Sequence, residues 1–370
     1  MSSKDSASKE LSQAWRKFCD EIKETGDTIL NATPDTPHHN FDQAEGFRYI
    51  SRITRLAFEQ IIENSDPLAP LLQRGAREDI KMGCDNPDSY YLLANLSGDH
   101  NYKIIGKRNT IQYFSMGTYY GGDYGKSGRS GIGGSLESSD LLLDEEGNFV
   151  VNISCTKQPG NWLAMEAEEN HQLIVRQTYL DRQNEVPAEL SIERIGENTQ
   201  PAPLSAEIMR DNLQRAATYV SGSISVFIDW TENFKKEPNS LNALSDTVKA
   251  SAHGDPNLYY FMGYWTLAED EALIISVMPP ECEYWNFQLN NYWMESLDYR
   301  FHCVDLNAHK VQYNEDGSFQ LIVAHKDPGH VNWIETAGHG HGTMGLRWVN
   351  AREYPRPNCK VLKLSELADY

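Results

Sequence analysis

DPGHVNWIETAGHGHGTMGLRWVN, residues 327–350, has a partial double earlier in the chain, KQPGNWLAMEAEENHQLIVRQ at residues 157–177. Both carry a Pro-Gly turn, an Asn-Trp pair and, further on, an arginine in an apolar run. Trp162 and Trp333 are separated by 333 − 162 = 171 residues, and Arg176 and Arg347 by 347 − 176 = 171. Working outward, NPDSYYLL from Asn86 matches DPNLYYFM from Asp255 (255 − 86 = 169), and the turns DEEGNF and NEDGSF match on Gly147 and Gly317 (317 − 147 = 170). AEGFR at Ala44 and AEIMR at Ala206 each open a helical pattern (206 − 44 = 162). Offsets this steady make the chain an internal duplication, each copy one supersecondary unit.

The units share one order of elements. Leu11, Trp15, Phe18 and Ile22 predict an amphipathic helix ending near Gly26. A second helix over 42–64 has Phe47, Ile50, Ile53, Ala57 and Ile61 as its stripe, and a third runs from Ser205, a predicted N-cap, to about Phe234. After the second and third helices come short runs rich in Tyr, Ile, Leu and Val, broken by Gly, Asn and Asp turns, which read as antiparallel strands. The fold class is α+β: a long helix followed by a β-sandwich or jelly-roll-like sheet, twice. Residues 1–40 are an N-terminal helix and linker, 41–203 the first repeat and 204–370 the second.

The formal net charge of −20 argues against nucleic acid or an anionic membrane as a partner, because both need surplus Lys and Arg. MSSKDSASKELSQ at the start lacks the apolar segment of a signal peptide, and no run is long enough to span a bilayer. The expectation is a soluble cytoplasmic protein, compatible with a homo-oligomer. Its six scattered cysteines read as buried thiols.

WNFQLNNYW (285–293), EDGSF (315–319), PGHVNWIETAG (328–338) and GLRW (345–348), in that order, resemble domain of unknown function 1214. The first half is similar but more divergent, through YYLL, YFSMGTYYGG, DEEGNF, PGNW and VRQTY. The resemblance implies jelly-roll-like β-structure and brings no reaction or catalytic set with it.

The candidates for chemistry follow from residue type. His339 and His341, one residue apart on an extended segment, point the same way, and flanking glycines let a ligand approach. With Glu335 they would be acid–base groups; the other readings are a metal pair and a structural loop. The segment ETAGHGHGTMG is where the two copies differ. Arg347, like Arg176, either pairs a carboxylate at a sheet edge or anchors a substrate acid. Tyr90, Tyr259 and Trp285 offer rings with polar tips to a pocket wall, although amphipathic strand packing also explains them. GGDYGKSGRSGIGG (121–134) lacks the first glycine of a phosphate loop and a following helix, and reads as a long mobile surface loop or a lid from which Lys126 and Arg129 would close over an anionic substrate group, with Asp123 among the acids nearest the tyrosines. The repeated Asn-Trp reads as architecture.

The function expected is an enzyme acting on a small, largely apolar or cyclic metabolite by acid–base chemistry without an organic cofactor, as a lyase, hydrolase or isomerase. The alternative is a non-catalytic carbohydrate or small-ligand binding protein. The partner is a small molecule. No cofactor is assigned, a metal at His339 and His341 being the one exception considered. Catalytic candidates are His339, His341 and Glu335, and substrate-binding candidates are Tyr90, Tyr259, Trp285, Arg347 and Asp123.

Overall fold

A computed structural model of the chain describes residues 3–33, 39–121, 130–196, 200–201, 203–251 and 253–369. Two helices open it, α1 (Ser3–Ala32) and α2 (His39–Ala57), and α2 continues into a π-helical turn over Phe58–Glu63. The first half then contributes β1 (Gln73–Arg74), β2 (Ser89–Ser97), β3 (Asn101–Lys107), β4 (Tyr113–Tyr120), β5 (Gly131–Glu137), β6 (Asn148–Ser154), β7 (Asn161–Ala164), β8 (Asn170–Thr178) and β9 (Glu189–Ile195). Helix α3 (Ala206–Phe234) opens the second half, with Ser205 accepting the Ile208 amide as its N-cap. There follow β10 (Asn242–Ala243), the short α4 (Asp246–Ser251), β11 (Leu258–Thr266), β12 (Glu271–Val277), β13 (Tyr284–Leu289), β14 (Asp305–Asn307), β15 (Phe319–Ala324), β16 (Trp333–Glu335), β17 (His341–Val349) and β18 (Asn358–Lys363).

The sheet orders repeat strand for strand. β1-β2-β8-β4-β5 and β7-β6-β3-β9 form the first sandwich, and β10-β11-β17-β13-β14 and β16-β15-β12-β18 form the second. Among the described residues each half has one parallel pair, and it is the same one, β6 with β7 and β15 with β16. The Asn-Trp repeat builds this edge. Asn161 grips both backbone groups of Leu142, and Asn332 does the same to Gln312. Trp162 donates its indole N–H to Ser154 Oγ, and Trp333 to the Ala324 carbonyl. Gly147 and Gly317, at φ 80° and 86°, supply the left-handed residue that their turns need.

Three cores hold these layers. Phe114, Val151, Leu173 and Val175 fill the first sandwich, and Trp265, Trp285, Phe287, Phe319 and Trp348 the second. The third lies between the helices and the outer face of the β11–β17–β13 sheet, where Ile53, Val220 and Ile224 meet Tyr264, Tyr292 and Trp293. Helix α1 runs on through Gly26 to Ala32, six residues beyond the expected end, because it packs along α3. Trp15 and Phe47, expected in buried stripes, are about half exposed. All six cysteines are free; Cys84 is buried, but Cys19 and Cys303 are exposed, contrary to the expectation. Among the described residues no helix is long and apolar enough to cross a membrane.

The two halves interlock. Asp255, in the loop before β11, accepts hydrogen bonds from Tyr113 Oη (3.1 Å) and Ser115 Oγ (2.5 Å) of β4. The matching loop before β2 reaches the other way: Asp88 accepts from Tyr284 Oη (2.8 Å), and Asn86 from the Asn286 amide (3.0 Å) of β13. Tyr113 and Tyr284 are themselves equivalents, 284 − 113 = 171 residues apart. Each half thus places its loop on the other half's sheet, as two subunits do across an isologous interface.

Candidate functional site

Where these loops cross, the halves and helices enclose a cavity of about 150 Å³. Its apolar wall includes Leu56, Met82, Leu93, Ile174, Phe227 and Leu258, and its polar lining includes Tyr91, Tyr113, Tyr260, Arg176 and Arg347. Strand periodicity puts them there. On β8, Leu173 and Val175 point into the first sandwich, so Ile174 and Arg176 point out of it. On β17, Met344, Leu346 and Trp348 point into the second sandwich and Arg347 points out. The cross-strand partners repeat as well: Tyr91 lies opposite Arg176, and Tyr260 opposite Arg347.

Each guanidinium reaches the opposite half. Arg176 donates to the His253 carbonyl at 2.5 Å and to Tyr119 Oη at 3.0 Å. Arg347 donates to the Cys84 carbonyl, to Gln288 Oε1 at 2.6 Å and to Asn286 Oδ1 at 3.2 Å. Cys84 and His253 are equivalent positions (253 − 84 = 169). Both adopt left-handed backbone, at φ 61° and 55°, which costs a non-glycine residue about 1 kcal/mol. Each arginine therefore clamps the strained turn of the other half.

Among the described residues neither arginine has a carboxylate within ion-pair distance, 4.0 Å. The nearby acids are occupied. Asp85 accepts from the amides of Ser296 and Met82 and from Ser296 Oγ, and Asp255 from Tyr113, Ser115 and the Asn257 amide. Burial raises the Asp85 pKa, disfavouring its charged form. Burial, reinforced by the Arg176 charge, lowers His253 to about 4 and keeps the imidazole neutral. Burial likewise pushes the Cys84 thiol up.

Of the residues singled out from the sequence, Arg347 lines the cavity, and its repeat partner Arg176 joins it. Tyr90 and Tyr259 do not; they pack against the sandwich cores, Tyr90 under Arg74 and Tyr259 stacked on Tyr354. Their neighbours Tyr91 and Tyr260 take the expected place, because one step along a strand reverses the face. Trp285 is inside the second sandwich, stacked on Phe319 at 4.1 Å; the residues flanking it on the other face, Asn286 and Gln288, hold Arg347. Asp123, Lys126 and Arg129 lie outside the described residues. Cys84 and His253 were missed: unlike side chains at equivalent positions leave no repeat to see.

His339 and His341 form a separate cluster against α2. His339 Nε2 contacts Glu45 Oε2 and His341 Nε2 contacts Asp42 Oδ2, both at 3.1 Å, and the Tyr264 hydroxyl contacts His341 Nδ1 at 2.5 Å. Asp42 and Glu45, three residues apart on one helix face, receive the two rings separately. Glu335 is not part of this group; it pairs with His302 at 2.9 Å. Among the described residues no three His, Cys, Asp or Glu side chains are arranged to hold a metal ion. His341 shares a strand face with Arg347 but stands six residues away, about 20 Å along the strand. It cannot touch a molecule held by Arg347 in a cavity of this size.

A duplicated double β-sandwich, interlocked through a shared cavity and covered by helices, is the class of protein that these features define. The model for DUF1214, described as a protein of unknown function, matches twice, at residues 93–179 and 272–353, once in each half. The chain belongs to the DUF1214 family. It is similar, at 42% identity and a TM-score of 0.92, to the crystal structure of an uncharacterised protein from Burkholderia cenocepacia, over 97% of this chain and 99% of that one. The VPA0106 protein from Vibrio parahaemolyticus is 12% identical with a TM-score of 0.47, over 86% and 98% of the two chains. No curated protein matches.

Proposed function

We propose that the chain binds and acts on a small organic acid with an apolar body, held in the cavity between its halves. The observation that carries this is the pair of guanidiniums, Arg176 and Arg347, lining one pocket with no carboxylate in ion-pair contact among the described residues. Arginine stays protonated in proteins, and a charge in such a place favours an anionic guest. A space of this volume holds a benzene-sized body, and the leucine, isoleucine, methionine and phenylalanine walls suit one. Acid–base chemistry on that guest would fall to neutral His253 or to Asp85, which line the cavity, rather than to His339 and His341.

Calorimetric titration with valerate and its neutral isostere pentan-1-ol tests the reading. Valerate binds and pentanol binds at least tenfold more weakly; replacing both Arg176 and Arg347 with Gln removes that preference. Equal binding of acid and alcohol defeats the proposal. Turnover is sought by following valerate and related acids by NMR after prolonged incubation, with His253→Gln as the comparison.

A further inference from the structure

The two halves line the cavity alike. Arg176 and Arg347 come from equivalent strands, face equivalent tyrosines across equivalent pairs, and each clamps the equivalent residue of the other half. A guest with a single acid group would bring an anion to one of these guanidiniums and leave the other, held by neutral acceptors, without one. From this pseudo-two-fold arrangement we infer that the guest is two-ended: a small diacid with one carboxylate directed to each arginine and an apolar link between them. The inference rests on the reading of the cavity as an acid site.

The flanking groups agree with it. Arg176 spends one nitrogen on Tyr119 and another on the His253 carbonyl, and the Arg347 terminal nitrogens contact Asn286, Gln288 and Cys84. None of these acceptors is a carboxylate, so the positive charges at the two poles are held in place without being neutralised by contact. Leu93, Ile174 and Leu258 supply apolar lining for a short methylene chain. A benzene-sized space sets the length at about four or five carbons. The overall charge of −20 repels a dianion at long range, so selectivity for one rests on these two buried poles.

The test compares glutarate with valerate, acids of equal carbon number that differ in the second carboxylate, on the full chain by calorimetric titration. Glutarate is expected to bind at least tenfold more tightly. Arg176→Gln and Arg347→Gln, which each remove one of the two positive charges, are each expected to narrow that ratio. The wild-type comparison decides the matter even if both variants fail to fold. Equal affinity for glutarate and valerate overturns the diacid and leaves the acid site standing. Binding of neither acid overturns both.

Discussion

His253 is a buried imidazole that must stay neutral, and this has a direction in pH. Its folded pKa is about 4 against an ordinary 6.5, chiefly through burial and then through Arg176. Between those values the unfolded chain binds a proton that the folded chain refuses. Stability therefore falls as pH drops from about 6.5 to about 4, by about 3 kcal/mol from this residue alone. Urea unfolding across that range checks it, and His253→Gln should flatten the slope by that amount. His339 works the other way. Burial alone would lower its pKa, but the Glu45 carboxylate more than offsets this and raises it, and His339 in turn helps to lower Glu45. The histidine contribution is full below 6.5 and is lost as pH rises through its raised folded value. That of Glu45 is full above 4.5 and is lost as pH falls through its lowered one. The contact is strongest between 4.5 and 6.5, so Glu45→Gln should cost about 1–3 kcal/mol more at pH 5.5 than at pH 8.5. Equal losses at the two pH values would place the role of Glu45 in its other partners, Arg48 and Asn291.

Strand β17 accounts for two of the glycines in the stretch where the copies differ, Gly342 and Gly345. A Cβ on Gly342 would lie 2.1 Å from the Asn290 carbonyl oxygen, and one on Gly345 2.9 Å from Cys84 Sγ. Gly342 makes room for the backbone that follows β13, and Gly345 for the Cys84 and Met262 sulfurs. Gly342→Ala should destabilise the protein by about 3 kcal/mol, read as a shift in the urea midpoint at unchanged slope. At this scale the sequence was most legible. The helix pattern, the turns at Gly147 and Gly317 and the recurrent Asn-Trp all follow from local periodicity and composition, and the repeat made each reading count twice. Which member of a Tyr-Tyr doublet reaches a pocket was not legible, because it depends on the side on which the sandwich partner lies. Tyr90 and Tyr91 carry the same side chain, and only the packing of β2 on β3 and β6 separates their roles. The surroundings of the two histidines were not legible for a related reason: their partners, Asp42 and Glu45, are almost 300 residues away in the chain.

At the scale of the molecule, the crossing loops tie the halves into one cooperative body. Asp255 is held by first-half hydroxyls, Asp88 by a second-half hydroxyl, and each strained turn by an arginine from the other side. Scanning calorimetry should show a single unfolding transition whose calorimetric and van't Hoff enthalpies agree. Two separable transitions would mean that the halves fold as independent domains. The same reciprocity bears on descent. A one-copy ancestor with these contacts would have paired with itself, and a true two-fold axis would have forced both poles of its central cavity to be identical. Joining the copies in one chain lifted that constraint. Cys84 now stands where its counterpart is His253, and Asn86 where its counterpart is Asp255. On the proposed reading, the fused protein would present unlike groups to the two sides of a guest, an arrangement closed to any symmetric dimer of the same parts.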